Sequence, residues 1–343
     1  MIGVDISDRS IKIVQLSNDK SARRLQSYCW SDIEEDVIER GIIKEPNKMK
    51  EILIKAFQKC RITSDVDDAV VASIPETQSF LRVIEVPQMS DDETDEAVQW
   101  EVAQHIPFGL ENVYIDWQPI MSGHKAAPKR REVLVGAAQK KVVDPLLQVL
   151  QGLGLDIAGL ELESQGIVRA LISPELKDKQ GLLVVDLGGK ATNVIIHDHG
   201  AMRFTASLQH GAFRISEQLS QEDRKLLASP SSKDLPKAVA DRIALSMKPA
   251  QEELVMEIRG IVEFYNGIDA QHEVKEILLT GGGSNFPGLD QVVVRFFDDT
   301  HVQRGNPWVN ILAGEKHKKT PLNLRESVHF TTALGLALRE DKG

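Results

Sequence analysis

Val4-Asp5-Ile6-Ser7-Asp8-Arg9-Ser10-Ile11-Lys12-Ile13-Val14 lies near the start of the chain, and Val185-Asp186-Leu187-Gly188-Gly189-Lys190-Ala191-Thr192-Asn193-Val194-Ile195 repeats its design 181 residues later. In both, an apolar run ends in Asp, a short polar or glycine turn follows, and a second apolar run returns. Each reads as strand, turn and antiparallel strand. Two weakly similar copies in one chain predict an internally duplicated α/β architecture.

Working outward, each copy gains a third strand. The first meander covers 2–6, 11–16 and 25–30; the second covers 182–187, 192–197 and 201–208. Met49, Ile52, Leu53, Ala56 and Phe57 recur at helical spacing and predict a helix over 47–60, before an apolar strand at 69–74. Strands at 80–86, 113–120 and 132–138 then form a small α/β module. Its first helix begins at a Ser90/Glu93 capping box, carries Asp91 and Asp92 in its first turn and stops at Pro107 after His105; its second spans 142–151. The segment 157–162 leads into a helix over 164–172. Residues 211–267 read as mostly helical, with Gly267 as the C′ residue of the longest helix. A strand at 276–280, a tight turn at Gly281-Gly282-Gly283, a helix started by Pro287 and running to Phe297, and a helix over 328–339 complete the chain.

The 343 residues imply two or three globular units, and 42% hydrophobic with 27% charged residues suits a folded protein with a sizeable core. A formal charge of −10 argues against nucleic acid as a partner. Cys29 and Cys60 are too few for a disulfide framework or a zinc site, which points to a reduced, cytosolic compartment. No signal peptide or transmembrane segment is expected.

The chemistry concentrates at the repeated turns. Walker A spacing fails because Ala191 follows Gly189-Lys190, and the dinucleotide fingerprint fails at Gly152-x-Gly154 and at Gly281-x-Gly283. Two facing hairpin turns can instead offer backbone N–H groups to a polyphosphate, with Asp5 and Asp186 holding Mg²⁺ through its water shell. The alternative is that each Asp only caps its own turn. The glycines of Leu279-Thr280-Gly281-Gly282-Gly283-Ser284 let a nucleoside approach the backbone, where a plain turn needs fewer. His197-x-His199 reads as solvated turn histidines or a weak metal pair, and Lys125, Lys129, Arg130 and Arg131 as a solvated hairpin tip or a lipid-facing patch. No Gly-x-Ser-x-Gly elbow supports a hydrolase.

Together, the two strand-Asp-turn motifs and the late Leu-x-Gly-Gly-Gly-Ser loop resemble the phosphate-1, phosphate-2 and adenosine motifs of the actin-like ATPase superfamily. Trp100-Glu101-Val102-Ala103-Gln104-His105-Ile106-Pro107-Phe108, Asn306-Pro307-Trp308 and Ala333-Leu334-Gly335-Leu336-Ala337 are similar to stretches of the PilM family of type IV pilus assembly, related in fold to the division protein FtsA. The resemblance implies an actin-like, two-lobed α/β fold with duplicated ribonuclease H-like subdomains and an inserted module. Subdomains are expected at 1–78 with 157–178 and 325–343, at 79–156 for the insertion, at 179–210 with 275–324, and at 211–274 for a helical part.

The resemblance also implies ATP and Mg²⁺ in the interlobe cleft. Phosphate-1 residues are Asp5, Ser7, Arg9, Ser10 and Lys12; phosphate-2 residues are Asp186, Gly188, Gly189, Lys190 and Thr192; the adenosine loop is Gly281, Gly282, Gly283 and Ser284. Glu257 and Arg259 fall on the helix lining base and ribose. Glu161 matches a position near the attacking water, the alternative being a solvated helix-entry carboxylate. Where the family reads Gly-Ser in phosphate-1, this chain has Ser7-Asp8. That loses turn freedom and adds a negative charge beside the ligand, with Arg9 and Lys12 in compensation, so slow or absent ATPase activity is expected. The implied partner is the cytoplasmic N-terminal tail of PilN, with other pilus assembly proteins and a peripheral place at the inner face of the cell membrane. Phe80, Arg82, Ile84, Val86, Ile106 and Phe108 are the expected tail-docking residues, by β-addition or in an apolar groove. A small-molecule kinase of the superfamily and an FtsA-like division protein are the rival readings.

Overall fold

The computed structural model describes residues 1–17, 23–62, 68–105, 109–120, 130–177, 181–228, 235–268, 274–298, 300–312 and 320–340. In chain order the strands are β1 (Ile2–Ile6), β2 (Ser10–Leu16), β3 (Leu25–Asp32), β4 (Ile38–Glu39), β5 (Ile42–Ile43), β6 (Val70–Ile74), β7 (Ser79–Pro87), β8 (Val113–Pro119), β9 (Arg130–Gln139), β10 (Ile157–Leu162), β11 (Leu182–Leu187), β12 (Thr192–Asp198), β13 (Ala201–Leu208), β14 (Glu276–Thr280) and β15 (His301–Arg304). The helices are α1 (Pro46–Lys59), α2 (Asp91–His105), α3 (Lys140–Gln151), α4 (Glu163–Leu171), α5 (Pro174–Lys177), α6 (Ala212–Ser216), α7 (Gln221–Ala228), α8 (Lys237–Ile268), α9 (Leu289–Phe296), α10 (Leu324–Ser327) and α11 (Thr331–Ala337). None of the described helices is long and apolar enough to cross a membrane.

The chain divides into two compact units. The first holds 1–179, 198–205 and 306–343, and the second holds 180–197 and 206–305. In the first, a five-stranded sheet runs β10-β6-β1-β2-β3. β1 is buried along its whole length and pairs antiparallel with β2 and parallel with β6, so its apolar run reads as a central strand. Helices α1 and α3 cover one face through Met49, Leu53, Phe57, Leu146 and Leu150. Val14, Leu16, Trp308, Phe330 and Leu334 form a second core cluster. Residues 306–312 and 320–324, expected with the second half, therefore pack in the first: Trp308 is 1% exposed, and Asn310 Nδ2 donates to the carbonyls of Arg169 and Ile172. The inserted module belongs to the same unit, with β9 between β7 and β8 and a core of Ile84, Val86, Val98, Val102, Val133 and Val135. Its α2 starts at the expected capping box, in which the Ser90 N–H donates to Glu93 Oε2 at 2.9 Å.

In the second unit, β11 pairs antiparallel with β12 and parallel with β14, and β14 pairs parallel with β15. The first two copies of strand, Asp, turn and strand are thus both present, each built on a central buried strand.

Several local expectations are corrected. Gly267 lies inside α8, which continues to Ile268, and it does not take the positive φ that a C′ residue needs. Pro287 does not start a helix; Gly288, at φ 82°, is the N-cap of α9. The closing helix is broken into α10, a single 3-10 turn and α11, with Asn323 capping α10 by accepting the Glu326 N–H. The β4–β5 hairpin and β15 were not anticipated, since their runs are only two and four residues long. Cys29 on β3 and Cys60 after α1, read as reduced thiols, are joined in a disulfide with Cα atoms 5.3 Å apart.

Candidate functional site

The phosphate-2 and adenosine stretches meet in the second unit because of strand register. Asp186 lies opposite Thr280 in the parallel β11/β14 pair, so the turn after Leu187 and the glycines after Thr280 leave the sheet side by side. Gly281 has φ 77°, and a Cβ there would lie 2.5 Å from Asp186 Oδ1 and 2.6 Å from the Leu187 carbonyl. Only glycine fits. Ser284 Oγ donates to the Gly281 carbonyl at 2.7 Å and closes the turn from within. Asp186, Gly188 and Gly189 are half-buried and Lys190 is exposed, so a ligand can reach them. Ala212 and Phe213 N–H groups donate to the Gly188 and Gly189 carbonyls at 2.8 Å, which fixes the turn against the start of α6. Half-exposed glycines, a carboxylate and an ammonium at one strand end fit a polyphosphate with its cation.

Thr192 is placed differently from expectation. It is fully buried, and its Oγ1 donates to the His210 carbonyl at 2.6 Å, so it positions the turn and is not itself presented to a ligand. Glu257 and Arg259 are separated by two residues on α8, or about 200° of helix, and point apart. Glu257 Oε1 lies 3.0 Å from His210 Nδ1. Arg259 pairs with Glu263 at 3.2 Å and sits over the Phe296 ring. The two side chains do not line one ligand. The residue that shares Glu257's face is Glu253, one turn earlier, held by Arg214 at 2.6 Å. Helical spacing alone could have supplied Glu253; nothing in the spacing marks His210, whose ring is buried. His210, Glu253 and Glu257 offer ligand atoms within 4.8 Å of one another, but Arg214 already neutralises one of the carboxylates, and we assign no metal there.

In the first unit, Asp5 and Lys12 are cross-strand neighbours, and Lys12 Nζ lies 2.9 Å from Asp5 Oδ2. Ser73 Oγ donates to the other carboxylate oxygen at 3.3 Å. Asp5 is only 5% exposed. Its charge is thus met by an ammonium, an arrangement the paired-Asp reading did not foresee. The Ser7 and Ser10 hydroxyls are 3.0 Å apart across the turn, and Arg9 pairs with Glu35 at 2.7 Å. Asp8, expected beside the ligand, directs its carboxylate to the backbone N–H groups of Arg40 and Gly41.

Glu161 is not a solvated carboxylate. It is 9% exposed, with Arg169 Nη1 and Nη2 at 2.8 and 3.0 Å from its two oxygens and Arg339 Nε at 3.4 Å. Those partners account for its burial, and we derive no catalytic step through it. Of the two histidines read as solvated, His197 is buried and His199 is half-buried.

The tail-docking residues divide. Ile84 and Val86 lie in the module core at 7% and 3% exposure. Strand β7 is not an edge: β9 pairs along its length, and β13 pairs at Phe204↔Arg82, where the Arg82 guanidinium stands over the Phe204 ring. That single pair occupies the second edge of β7 at Arg82. Phe80 packs partly against the same core. Ile106 and Phe108 lie outside the described residues, as do Lys125 and Lys129. Arg130, which is exposed, pairs with Glu85, and the half-buried Arg131 with Asp91.

Comparison with known proteins bears on the whole chain. A solved structure described as the PilM-PilN type IV pilus biogenesis complex superposes with a TM-score of 0.80 at 24% identity, covering 98% of this chain and 97% of that one. The ethanolamine utilization protein EutJ from Carboxydothermus hydrogenoformans follows at TM-score 0.57 and 16% identity, covering 98% and 88%. These likenesses establish the actin-like ATPase fold. The family model for the type IV pilus assembly protein PilM matches residues 3–341. The chain belongs to the PilM family of type IV pilus assembly proteins.

Proposed function

We propose that this actin-like pilus assembly protein is a nucleotide-dependent scaffold: it binds Mg-ATP and, from the cytoplasmic side of the inner membrane, docks the N-terminal tail of a PilN-like membrane protein. The observation that carries the nucleotide reading is the contact between Gly281 and Asp186, where the absence of a Cβ lets a glycine loop pack directly on the Asp turn. Asp186 is the carboxylate assigned to metal-bound water, Gly188, Gly189 and Lys190 the phosphate contacts, and the half-buried Gly282, between the buried Gly281 and Gly283, the surface for the nucleoside. The Ser7–Ser10 turn and Lys12 of the first unit are assigned phosphate contacts by the duplication. Bound Mg²⁺ supplies charge neutralisation of the phosphates.

The engagement of both Glu161 oxygens by Arg169 favours a binding scaffold over a small-molecule kinase, which needs an available carboxylate for its second substrate. Turnover is accordingly slow or absent. The known complex of a relative with PilN supports the choice of partner. Among the residues proposed for docking, Phe80 and Arg82 remain, with the 106–108 stretch. Calorimetry with Mg-ATP tests the first half: heat with the wild type and none with Asp186→Ala is expected, and no heat with the wild type overturns it. A synthetic PilN-like tail tests the second, and cross-links confined to 180–197 and 206–305 would place the partner elsewhere.

A further inference from the structure

The Asp8 side chain is used in an unexpected way. Its Oδ1 accepts the Gly41 N–H at 2.7 Å and its Oδ2 the Arg40 N–H at 3.0 Å. Arg40 and Gly41 are the two turn residues of the β4–β5 hairpin, both at positive φ (50° and 79°), the geometry of a two-residue turn whose N–H groups point outward. Neighbouring links run the same way. The Ile33 N–H donates to the Arg9 carbonyl at 2.9 Å, and Arg9 pairs with Glu35. A carboxylate that accepts two backbone N–H groups is held in place and has part of its charge met.

We propose that Asp8 is a positioning residue of the Ser7–Ser10 turn: latched to the hairpin, its charge is kept away from a bound polyphosphate, and the hairpin's attachment is thereby coupled to occupancy of the turn. This rests on the nucleotide reading above. A phosphate at the turn repels the Asp8 carboxylate toward the hairpin amides and tightens the latch. Releasing the hairpin frees Asp8 to oppose the phosphate. Because binding linkage is reciprocal, the same coupling is read from either end.

The test is a cycle of Gly41→Pro and Asp8→Asn, with Mg-ATP affinity measured by calorimetry. Proline removes the Gly41 N–H and cannot adopt φ 79°, so it breaks the latch while leaving the charge. Gly41→Pro is expected to weaken binding by roughly fivefold or more. Adding Asp8→Asn, which removes the charge, is expected to restore it; a merely structural loss would not be restored. Wild-type affinity in Gly41→Pro, or no rescue by Asp8→Asn, overturns the proposal. Should Gly41→Pro melt the fold, amide exchange at Arg40 and Gly41 in the wild type decides: slowing by Mg-ATP is expected, and unchanged exchange overturns it. Absence of heat with the wild type overturns the nucleotide reading and this coupling together, whereas heat with an unresponsive hairpin overturns the coupling alone.

Discussion

The His329 ring rests on Trp30, with centroids 5.3 Å apart and planes inclined at 55°, while the Lys12 ammonium stands 5.4 Å from the same indole. Burial first, and the nearby Lys12 charge second, push the His329 pKa down from 6.5 to about 4. A histidine held neutral in the fold is protonated first in the unfolded chain, so it supports stability above pH 6.5 and loses that support as pH falls toward 4. The full effect is about 3 kcal/mol. His329→Gln is expected to flatten the melting temperature between pH 6.5 and 4.5. A wild-type slope retained in that variant would assign acid sensitivity elsewhere.

Glu76 has the opposite sign. Burial raises its pKa from 4.5, opposed by the hydrogen bond from the Ser164 backbone. Its Oε2 accepts the Ser164 N–H at 3.3 Å. The folded state keeps the proton longer than the unfolded chain, so the stability it carries is complete below pH 4.5 and declines as pH rises toward the folded pKa. Glu76→Gln keeps the shape and the acceptor without the proton to lose. It is expected to melt higher than the wild type at pH 8 and to lie closer to it at pH 4.5, by calorimetric scans at both.

The halves of the chain that were legible in the sequence are those whose apolar runs are long. Val4-Asp5 and Val185-Asp186 announce themselves because a central strand buried on both faces has no polar alternation to confuse it. Register then did what composition cannot. Asp5 meets Lys12 and Asp186 meets Thr280 only because particular pairs of strands align, and neither pairing is visible in a linear reading. Ile84 and Val86 show the converse error: an apolar face on a strand looks the same whether it meets a partner or its own module, and Val98 and Val133 decide it. Glu257 and Arg259 failed for a simpler reason, since two residues along a helix is the spacing that separates side chains most.

Arg203 and Glu132 form a buried ion pair, Nη1 to Oε1 at 2.7 Å, each side chain 7% exposed, and Arg203 Nε also donates to the Asp198 carbonyl. Removing one partner leaves the other charge buried, at a cost of about 3–5 kcal/mol. Arg203→Met alone is therefore expected to destabilise by about that much. The double variant Arg203→Met with Glu132→Gln is expected to recover much of the loss, since no uncompensated charge remains. Chemical denaturation of the four members of the cycle measures it, and additive losses would mean that the pair is not coupled.

Gly281 tests the site itself. At φ 77° a side chain is strained whatever the space, and here the new Cβ would also meet Asp186 Oδ1 and the Leu187 carbonyl, of which the latter is backbone and cannot swing away. Gly281→Ala is expected to cost about 1–3 kcal/mol. It must also displace the Asp186 carboxylate or the turn after it, so Mg-ATP affinity is expected to fall by roughly tenfold or more, equivalent to 1.4 kcal/mol. Gly267→Ala is the control. It sits within α8 with nothing inside 4 Å of its added methyl, and alanine there is expected to stabilise the helix by up to about 1 kcal/mol with nucleotide binding unchanged. If Gly281→Ala folds and binds Mg-ATP as the wild type does, the close packing of the glycine loop on Asp186 serves the fold alone, and the nucleotide contacts must be sought elsewhere in the chain.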